Sequence, residues 1–261
     1  VEMYEFMNIN RPIATFNENA LVEMFFNELR LCNSIDNSVA IIDEQPHLQK
    51  LFVEFLIFQQ MFQKNKINCE IYDVTEIDNF KNYGLVYNRY TDFYLEADKS
   101  KNLREIFNSK SLNLSPHPYE YFLLADKARL LDWNQQTHLE KPSSLLKIFD
   151  MGTSDKDQMW AQRKNLFFKP KNSFGSKQAY KGASMSHKAF DSVCSSDFIA
   201  QQLSIPSRIT VALNAEEQKF KYDLRCYAYK NELQLIIARL YQGQTTNLNT
   251  PGGGFACVKV V

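Results

Sequence analysis

The segment FFKPKNSFGSKQAYKG, residues 167–182, decides how this chain is read. Phe167 and Phe168 form an apolar run that ends in Lys169-Pro170. That is the pattern of a buried strand delivering one ammonium group to a set position. Ser173-Phe174-Gly175-Ser176 follows as a small-residue turn with open backbone N–H groups, and Lys177 closes it. A cation beside open N–H groups is how proteins hold polyphosphate. Neither G-x-x-x-x-G-K-[ST] nor G-x-G-x-x-G is present. The same residues also fit a solvated basic hairpin turn.

The chain has 261 residues, enough for one large domain or two or three small lobes. Lys plus Arg and Asp plus Glu number 30 each. That balance argues against a nucleic-acid partner bound by phosphate neutralisation. It argues equally against a polybasic membrane surface. No apolar run is as long as a bilayer is thick, and Val1-Glu2-Met3-Tyr4-Glu5 lacks the basic start of a signal sequence. Cys32, Cys69, Cys194, Cys226 and Cys257 are dispersed and form no CxxC, and the four histidines are dispersed too. Neither a zinc site nor a disulfide framework is expected, and the reducing cytoplasm is the expected location.

Outward from the opening segment, the hairpin spans Phe167 to Tyr180. Before it, Val39–Asp43, Ile67–Asp73 and Tyr83–Arg89 read as strands. A helix is expected from Glu44-Gln45-Pro46 to about Phe62, and another near Leu103–Phe107. These elements predict a small α/β domain over about 35–115. Asp43 and Asn88-Arg89 stand at strand ends, where such domains face a ligand crevice. Pro116-His117-Pro118 breaks the chain, and Tyr119–Leu131 reads as a helix carrying Asp126-Lys127. Residues 133–164 read as irregular. Phe198–Gln202 reads as a strand running into a linker. Lys219–Tyr229 and Glu232–Leu240 read as antiparallel strands joined at Lys230-Asn231.

The order of Asp126-Lys127, Lys169, Phe198–Gln202, Asp223-Leu224-Arg225 and Arg239 resembles the ATP-grasp ligases. Further segments narrow the resemblance: YNRYTDF (87–93), PHP (116–118), ADK (125–127), ARLYQGQTTN (238–247) and TPGGGFA (250–256). Together they are similar to a group of bacterial, circularly permuted ATP-grasp proteins akin to carboxylate–amine ligases. The fold that this implies is α+β: two α+β lobes clamping ATP, circularly permuted, with a small α/β pre-ATP-grasp domain. The implied domains are 1–34 (permuted part of the C-lobe), 35–115 (pre-ATP-grasp), 116–199 (N-lobe with the phosphate loop) and 200–261 (C-lobe). In the permuted group the metal ligands stand at the N-terminus. Tyr4-Glu5-Phe6 resembles the first such segment and Thr15-Phe16-Asn17-Glu18-Asn19-Ala20 the second. Glu5 and Asn17 are thus the implied Mg²⁺ ligands. Thr15 stands where a Glu is expected, which removes a carboxylate from a site that needs hard, charged oxygens.

The implied activity is ATP- and Mg²⁺-dependent activation of a carboxylate as an acyl phosphate for attack by an amine or thiol. The substrates are expected to be small-molecule or peptide carboxylates and amines. The protein's part is positioning and charge neutralisation. The resemblance assigns Lys127, Lys169, Ser173, Gly175, Ser176, Lys177, Gln201, Gln202 and Asp223 to ATP. It assigns Arg225 and Arg239 to the reacting phosphoryl group as catalytic residues. Arg89, Asp92, Asn247, Gly253 and Gly254 are the expected substrate readers. The alternative is a nucleotide-binding module that keeps the fold but has lost turnover, and Thr15 is the residue that favours it.

Overall fold

The computed structural model describes residues 18–136, 141, 144–173, 178–213, 216–243 and 253–258. They fall into two compact units, 18–123 and 124 onward.

The first unit contains α1 (Glu18–Leu31), β1 (Ser38–Asp43), α2 (Phe52–Lys64), β2 (Asn68–Asp73), α3 (Ile77–Phe80), β3 (Leu85–Asn88), α4 (Lys101–Asn108) and β4 (Leu114–Ser115). The four strands are parallel, in the order β2-β1-β3-β4. β1 reads SVAIID and is buried along its whole length. A parallel strand covered on both faces requires such a continuous apolar run. Val39 and Ile41 pack with Phe25, Phe55 and Phe62 on one face. Ala40 and Ile42 pack with Phe80, Tyr90 and Leu103 on the other. Phe25 meets Phe62 edge-on at 4.7 Å and Tyr87 at 5.0 Å, the arrangement the ring quadrupoles favour.

Helix α1 buries Val22, Phe25 and Leu29, spaced three and four apart, against this sheet. The expected first domain, 1–34, is therefore divided. Its residues 18–31 pack within the α/β unit, and the permutation itself turns on residues 1–17, which lie outside the described residues. The helix expected from Glu44 onward also differs. Pro46–Leu48 forms one tight turn, and α2 begins only at Phe52. Gln45 adopts a left-handed conformation, φ 44°, and Gln49 is extended. The Gln49 side-chain N–H₂ donates to the Glu44 carbonyl at 2.6 Å, so a side chain closes the turn that a helix would otherwise continue.

The second unit holds α5 (Ala128–Gln135), β5 (Ile148–Asp150), α6 (Lys156–Gln162), β6 (Leu166–Pro170), β7 (Tyr180–Lys181), α7 (His187–Cys194) and β8 (Phe198–Gln202). It continues with β9 (Ser207–Leu213), β10 (Glu216–Tyr229), β11 (Glu232–Tyr241) and β12 (Gly254–Cys257). Strands β5 to β8 form one antiparallel sheet in the order β5-β8-β6-β7. Leu166, Phe168, Phe198 and Ala200 pack with Met159, Phe190 and Val193 of α6 and α7. The expected hairpin is present, with Phe168 opposite Tyr180 and Phe167 opposite Lys181. Gly182 follows it. A Cβ there would lie 2.0 Å from the Arg163 carbonyl oxygen, so only glycine lets the returning chain pass.

Strands β9 to β12 form a second antiparallel sheet, ordered β12-β11-β10-β9. The turn expected at Lys230-Asn231 is there, with Lys230 left-handed at φ 55°. Helix α6 lies inside the stretch read as irregular.

The helix expected over Tyr119–Leu131 is interrupted. Tyr121–Ala125 forms one wide turn, and α5 restarts at Ala128. The Lys127 N–H donates to the Lys171 carbonyl at 3.0 Å instead of to its own helix. Asp126 accepts from the Ala128 N–H at 2.8 Å and starts α5. Lys127 therefore sits at a junction rather than on a helix face. The fold class is α+β, with a small α/β unit in the first half of the chain. Among the described residues no helix is long and apolar enough to cross a membrane.

Candidate functional site

One face of the β5–β8 sheet packs on α6 and α7, and the other carries the polar residues Lys169 and Gln201. Phe168, Phe198 and Ala200 point into the core, so Phe167, Lys169, Ile199 and Gln201 share the opposite face by alternation. Lys169 stands opposite Ile199, and Gln201 opposite Phe167. The two polar residues are diagonal neighbours, and the Lys169 ammonium donates to the Gln201 side-chain oxygen at 2.7 Å. The Lys169 Nζ also lies 5.5 Å from the centre of the Phe167 ring.

Lys127 completes this constellation. Its backbone N–H is tied to Lys171, and its ammonium donates to the Ser173 carbonyl at 2.9 Å and reaches the Lys171 carbonyl at 3.4 Å. Ser173 thus contributes through its backbone oxygen. Both ammonium groups are held below the usual lysine range. Burial is the main cause for each, and the nearby charge of Lys127 adds to it at Lys169. Among the described residues neither is in an ion pair. Each ammonium rests on neutral oxygens, and the Lys127 charge is felt at Lys169, a setting that favours a bound anion.

Lys171, which sequence reasoning passed over, has the opposite surroundings. Its ammonium pairs with Asp150 at 3.2 Å and Asp197 at 2.7 Å, and it is held above the usual lysine range by these contacts. It fastens the end of β6 to its neighbours and fixes the carbonyl that Lys127 uses. The Lys-Pro-Lys spacing of 169–171 was the available signal. Gln202 is exposed, and its N–H donates to the Lys147 carbonyl at 2.8 Å.

On the second sheet Asp223 and Arg225 share one face of β10 by alternation. Asp223 stands opposite Arg239. The guanidinium donates to both carboxylate oxygens, Nε at 2.6 Å and Nη2 at 3.0 Å. The bond joins Asp223 to Arg239, not to Arg225. Arg225 is exposed, with Nη1 3.4 Å from the Tyr227 hydroxyl. Register explains the choice, because Arg239 is directly across the ladder while Arg225 is two residues along the same strand. Gly254 stands opposite Leu240 in β12. A Cβ there would meet nothing within 4 Å among the described residues. Gly253 precedes it. Gly175, Ser176, Lys177 and Asn247 lie outside the described residues, as do Glu5 and Asn17. Among the described residues there is no group of three His, Cys, Asp or Glu side chains that could hold a metal ion.

In the first unit Arg89 and Asp92 part company. Asp92 accepts from the N–H groups of Glu96 and Ala97 at 3.0 and 2.9 Å and from the Ser100 hydroxyl. These bonds hold its carboxyl below the usual range and clasp the loop that leads to α4. Its carboxylate serves the loop. Arg89 follows β3 and turns toward α2. Its guanidinium pairs with Glu54 at 3.1 Å, donates to the Tyr87 hydroxyl at 3.1 Å and lies over the Phe55 and Tyr87 rings. Glu54 and Tyr87 carried no polar signal in the sequence beyond their helical and strand positions.

No protein-family model matches the chain. No curated protein matches it in sequence either. Among solved structures it is similar to D-cycloserine synthetase DcsG, with 14% identity and a TM-score of 0.43 over 64% of this chain and 59% of that one. It is also similar to carboxyaminoimidazole ribonucleotide synthase from Aspergillus clavatus complexed with ATP, with 9% identity and a TM-score of 0.43 over 78% of this chain and 57% of that one. A third is the ATP-grasp ligase PsnB complexed with minimal precursor, with 10% identity and a TM-score of 0.42 over 80% of this chain and 78% of that one. The chain thus spans less than two thirds of the length of the first two. These are likenesses of architecture at TM-scores below 0.5, and the chemistry of this chain is read from its own residues.

Proposed function

We propose that this chain is an ATP-dependent ligase that activates a carboxylate as an acyl phosphate for attack by an amine or a thiol. The observation that carries the reading is the Lys127–Lys169 pair. Two half-buried ammonium groups, each held on neutral oxygens and electrostatically coupled, fit the anionic oxygens of a polyphosphate. Each such charge-assisted contact contributes about 1.5–3 kcal/mol. The motif order of the sequence supports the same reading.

Bound ATP would supply the phosphoryl group. A substrate carboxylate oxygen bonds to the γ-phosphorus as the bond to ADP breaks, and the amine nitrogen then bonds to the acyl carbon as phosphate leaves and a proton is lost. Lys127 and Lys169 hold phosphate oxygens throughout and cost no reorganisation when charge moves. Gln201 keeps the Lys169 ammonium aimed, and Lys171 fixes the strand end beneath it. Gly175, Ser176 and Lys177 would cover the phosphates, Gln202 would meet the base, and Arg239, steadied by Asp223, and Arg225 would face the transferring group. Gly253, Gly254 and Asn247 would hold the reacting acid. A Mg²⁺ site would draw on Glu5 and Asn17.

The second reading, a nucleotide-binding module without turnover, rests on Thr15. The experiment is thermal unfolding with a non-hydrolysable ATP analogue and Mg²⁺, followed by phosphate release with a panel of acids and amines. Stabilisation that Lys169→Ala weakens, with acid- and amine-dependent phosphate release, supports the ligase. Stabilisation without any release supports the module. No stabilisation under any condition removes both.

A further inference from the structure

The first unit contains a carboxyl group that the reading above does not use. In its sheet the chain runs from β1 to β2 on one side and then to β3 on the other side of β1. Such a reversal opens a crevice beyond the carboxyl ends of the two central strands, and ligands bind there. Asp43 ends β1, and Asn88 ends β3 with Arg89 directly after it. Alternation puts Asp43 on the face of Val39 and Ile41, beneath α2, the same side on which Arg89 meets Glu54 and Phe55.

The charges at this rim do not close. Arg89 is paired with Glu54, and Lys99 is paired with Glu44 at 2.5 Å. Asp73 accepts from the Gln45 N–H at 2.7 Å and from Thr75. Asp43 is only 6% exposed. Among the described residues the one hydrogen bond to its carboxylate comes from the Glu44 N–H, at 2.7 Å to one oxygen. The other oxygen has no donor there. Burial pushes this carboxyl up to about 6. The Glu44 N–H and the Arg89 charge pull the other way, and the Glu44 and Asp73 carboxylates add to the rise. The Arg89 Nη groups are taken by Glu54 and Tyr87, while its Nε and the Asn88 side-chain N–H₂ are buried without an acceptor among the described residues; the free Asp43 oxygen is the acceptor this rim offers to a donor-bearing cation.

We infer that the β1/β3 crevice binds a protonated amine, with the Asp43 carboxylate as its acceptor and Arg89, held by Glu54 and Tyr87, as the fixed wall beside it. That this amine is the acceptor substrate rests on the ligase reading above; that the crevice takes an ammonium group does not. An anionic ligand could meet the Arg89 Nε and Asn88 donors but would have to approach the Asp43 carboxylate, and acetate in the test below separates the two cases.

The test uses the full chain, isotope-labelled, without nucleotide, near pH 7. Methylammonium, tetramethylammonium and acetate are titrated while the backbone amides of Glu44 and Gln45 are followed by NMR. Methylammonium is expected to shift both amides and to move the titration of the Asp43 carboxyl carbon to lower pH. Tetramethylammonium, which has no N–H, and acetate are expected to do neither. Asp43→Asn should weaken methylammonium binding at least tenfold. Shifts with acetate, equal shifts with tetramethylammonium, unchanged binding in the variant, or no shift with any probe would each overturn the proposal. Because no nucleotide is present, a negative result leaves the lysine pair untouched, and failure of the nucleotide test leaves amine binding standing.

Discussion

The Lys169 ammonium rests on the Gln201 side-chain oxygen at 2.7 Å, across the diagonal of β6 and β8. A neutral acceptor aims the cation without cancelling it. Lys169→Ala should therefore lower affinity for a non-hydrolysable ATP analogue by about tenfold to a hundredfold, the equivalent of about 1.5–3 kcal/mol. Gln201→Leu keeps the charge and loses only its aim, so the loss should be smaller, about threefold. Isothermal titration calorimetry measures both. Equal affinity in Lys169→Ala and the natural chain would remove Lys169 from the phosphate site.

The same lysines set a pH dependence. Both are held below their ordinary value in the folded chain, mainly by burial. The unfolded chain binds their protons more tightly, so the free protein gains stability as pH rises through the lysine range. A bound polyphosphate reverses the preference, because it favours the charged ammoniums. Analogue binding on the alkaline side, where the free protein's lysines begin to lose their protons, should therefore take up protons, and affinity should fall as pH rises further. Calorimetry in two buffers of different ionisation enthalpy reads the uptake directly. Binding in that range with no net proton uptake would contradict the assignment.

Much of this was legible in the sequence, for identifiable reasons. β1 could be read because a strand buried on both faces must be continuously apolar. The 167–180 hairpin could be read because Phe168 and Lys169 fall on opposite faces. The helix through Asp126-Lys127 was misread because its interruption depends on the Lys171 carbonyl, 44 residues away. Local propensity cannot see that bond. Asp92 was an expected reader of substrate through the resemblance. Its bonds to the Glu96 and Ala97 N–H groups are a matter of loop geometry that no spacing reveals. The Asp223–Arg239 pair needed the ladder register, which only the folded sheet fixes.

That pair makes a stability prediction. The Asp223 and Arg239 side chains are 31% and 25% exposed, so water screens part of their attraction. Two parallel N–H···O bonds compensate in geometry. A double-mutant cycle of Asp223→Ala and Arg239→Ala should give a coupling energy of about 1 kcal/mol by urea unfolding. Coupling near zero would mean that the sheet, not the pair, holds Arg239 in place.

Gly182 offers a test of the hairpin that is independent of ligands. A Cβ at this position would sit 2.0 Å from the Arg163 carbonyl oxygen and 2.9 Å from the Phe168 ring. Backbone must move to admit it. Gly182→Ala should destabilise the chain by about 1–3 kcal/mol, as overpacking does. It should also weaken analogue binding, because Phe168 neighbours Lys169. A variant as stable as the natural chain would show that the close approach is not maintained in solution.

Asp43 separates a structural carboxyl from a poised one. Its folded value of about 6 lies above the ordinary 3.8, so the folded chain binds this proton more tightly than the unfolded chain. The stabilisation is fully present below about pH 4 and is lost as pH rises through about 6. Arg89, Glu44 and Asp73 are the charges that face it, and burial outweighs them. Asp43→Asn keeps the shape and removes the titration. The variant should be about as stable as the natural chain near pH 4, and more stable by about 1–2 kcal/mol near pH 7. Saturating methylammonium should narrow that gap by stabilising only the natural chain, since a ligand bound to the folded state alone adds to its stability. Urea unfolding across this range, with and without the amine, measures both effects. Parallel stability curves for the two proteins would mean that the Asp43 carboxyl titrates alike in the folded and unfolded chain, so that burial does not set it.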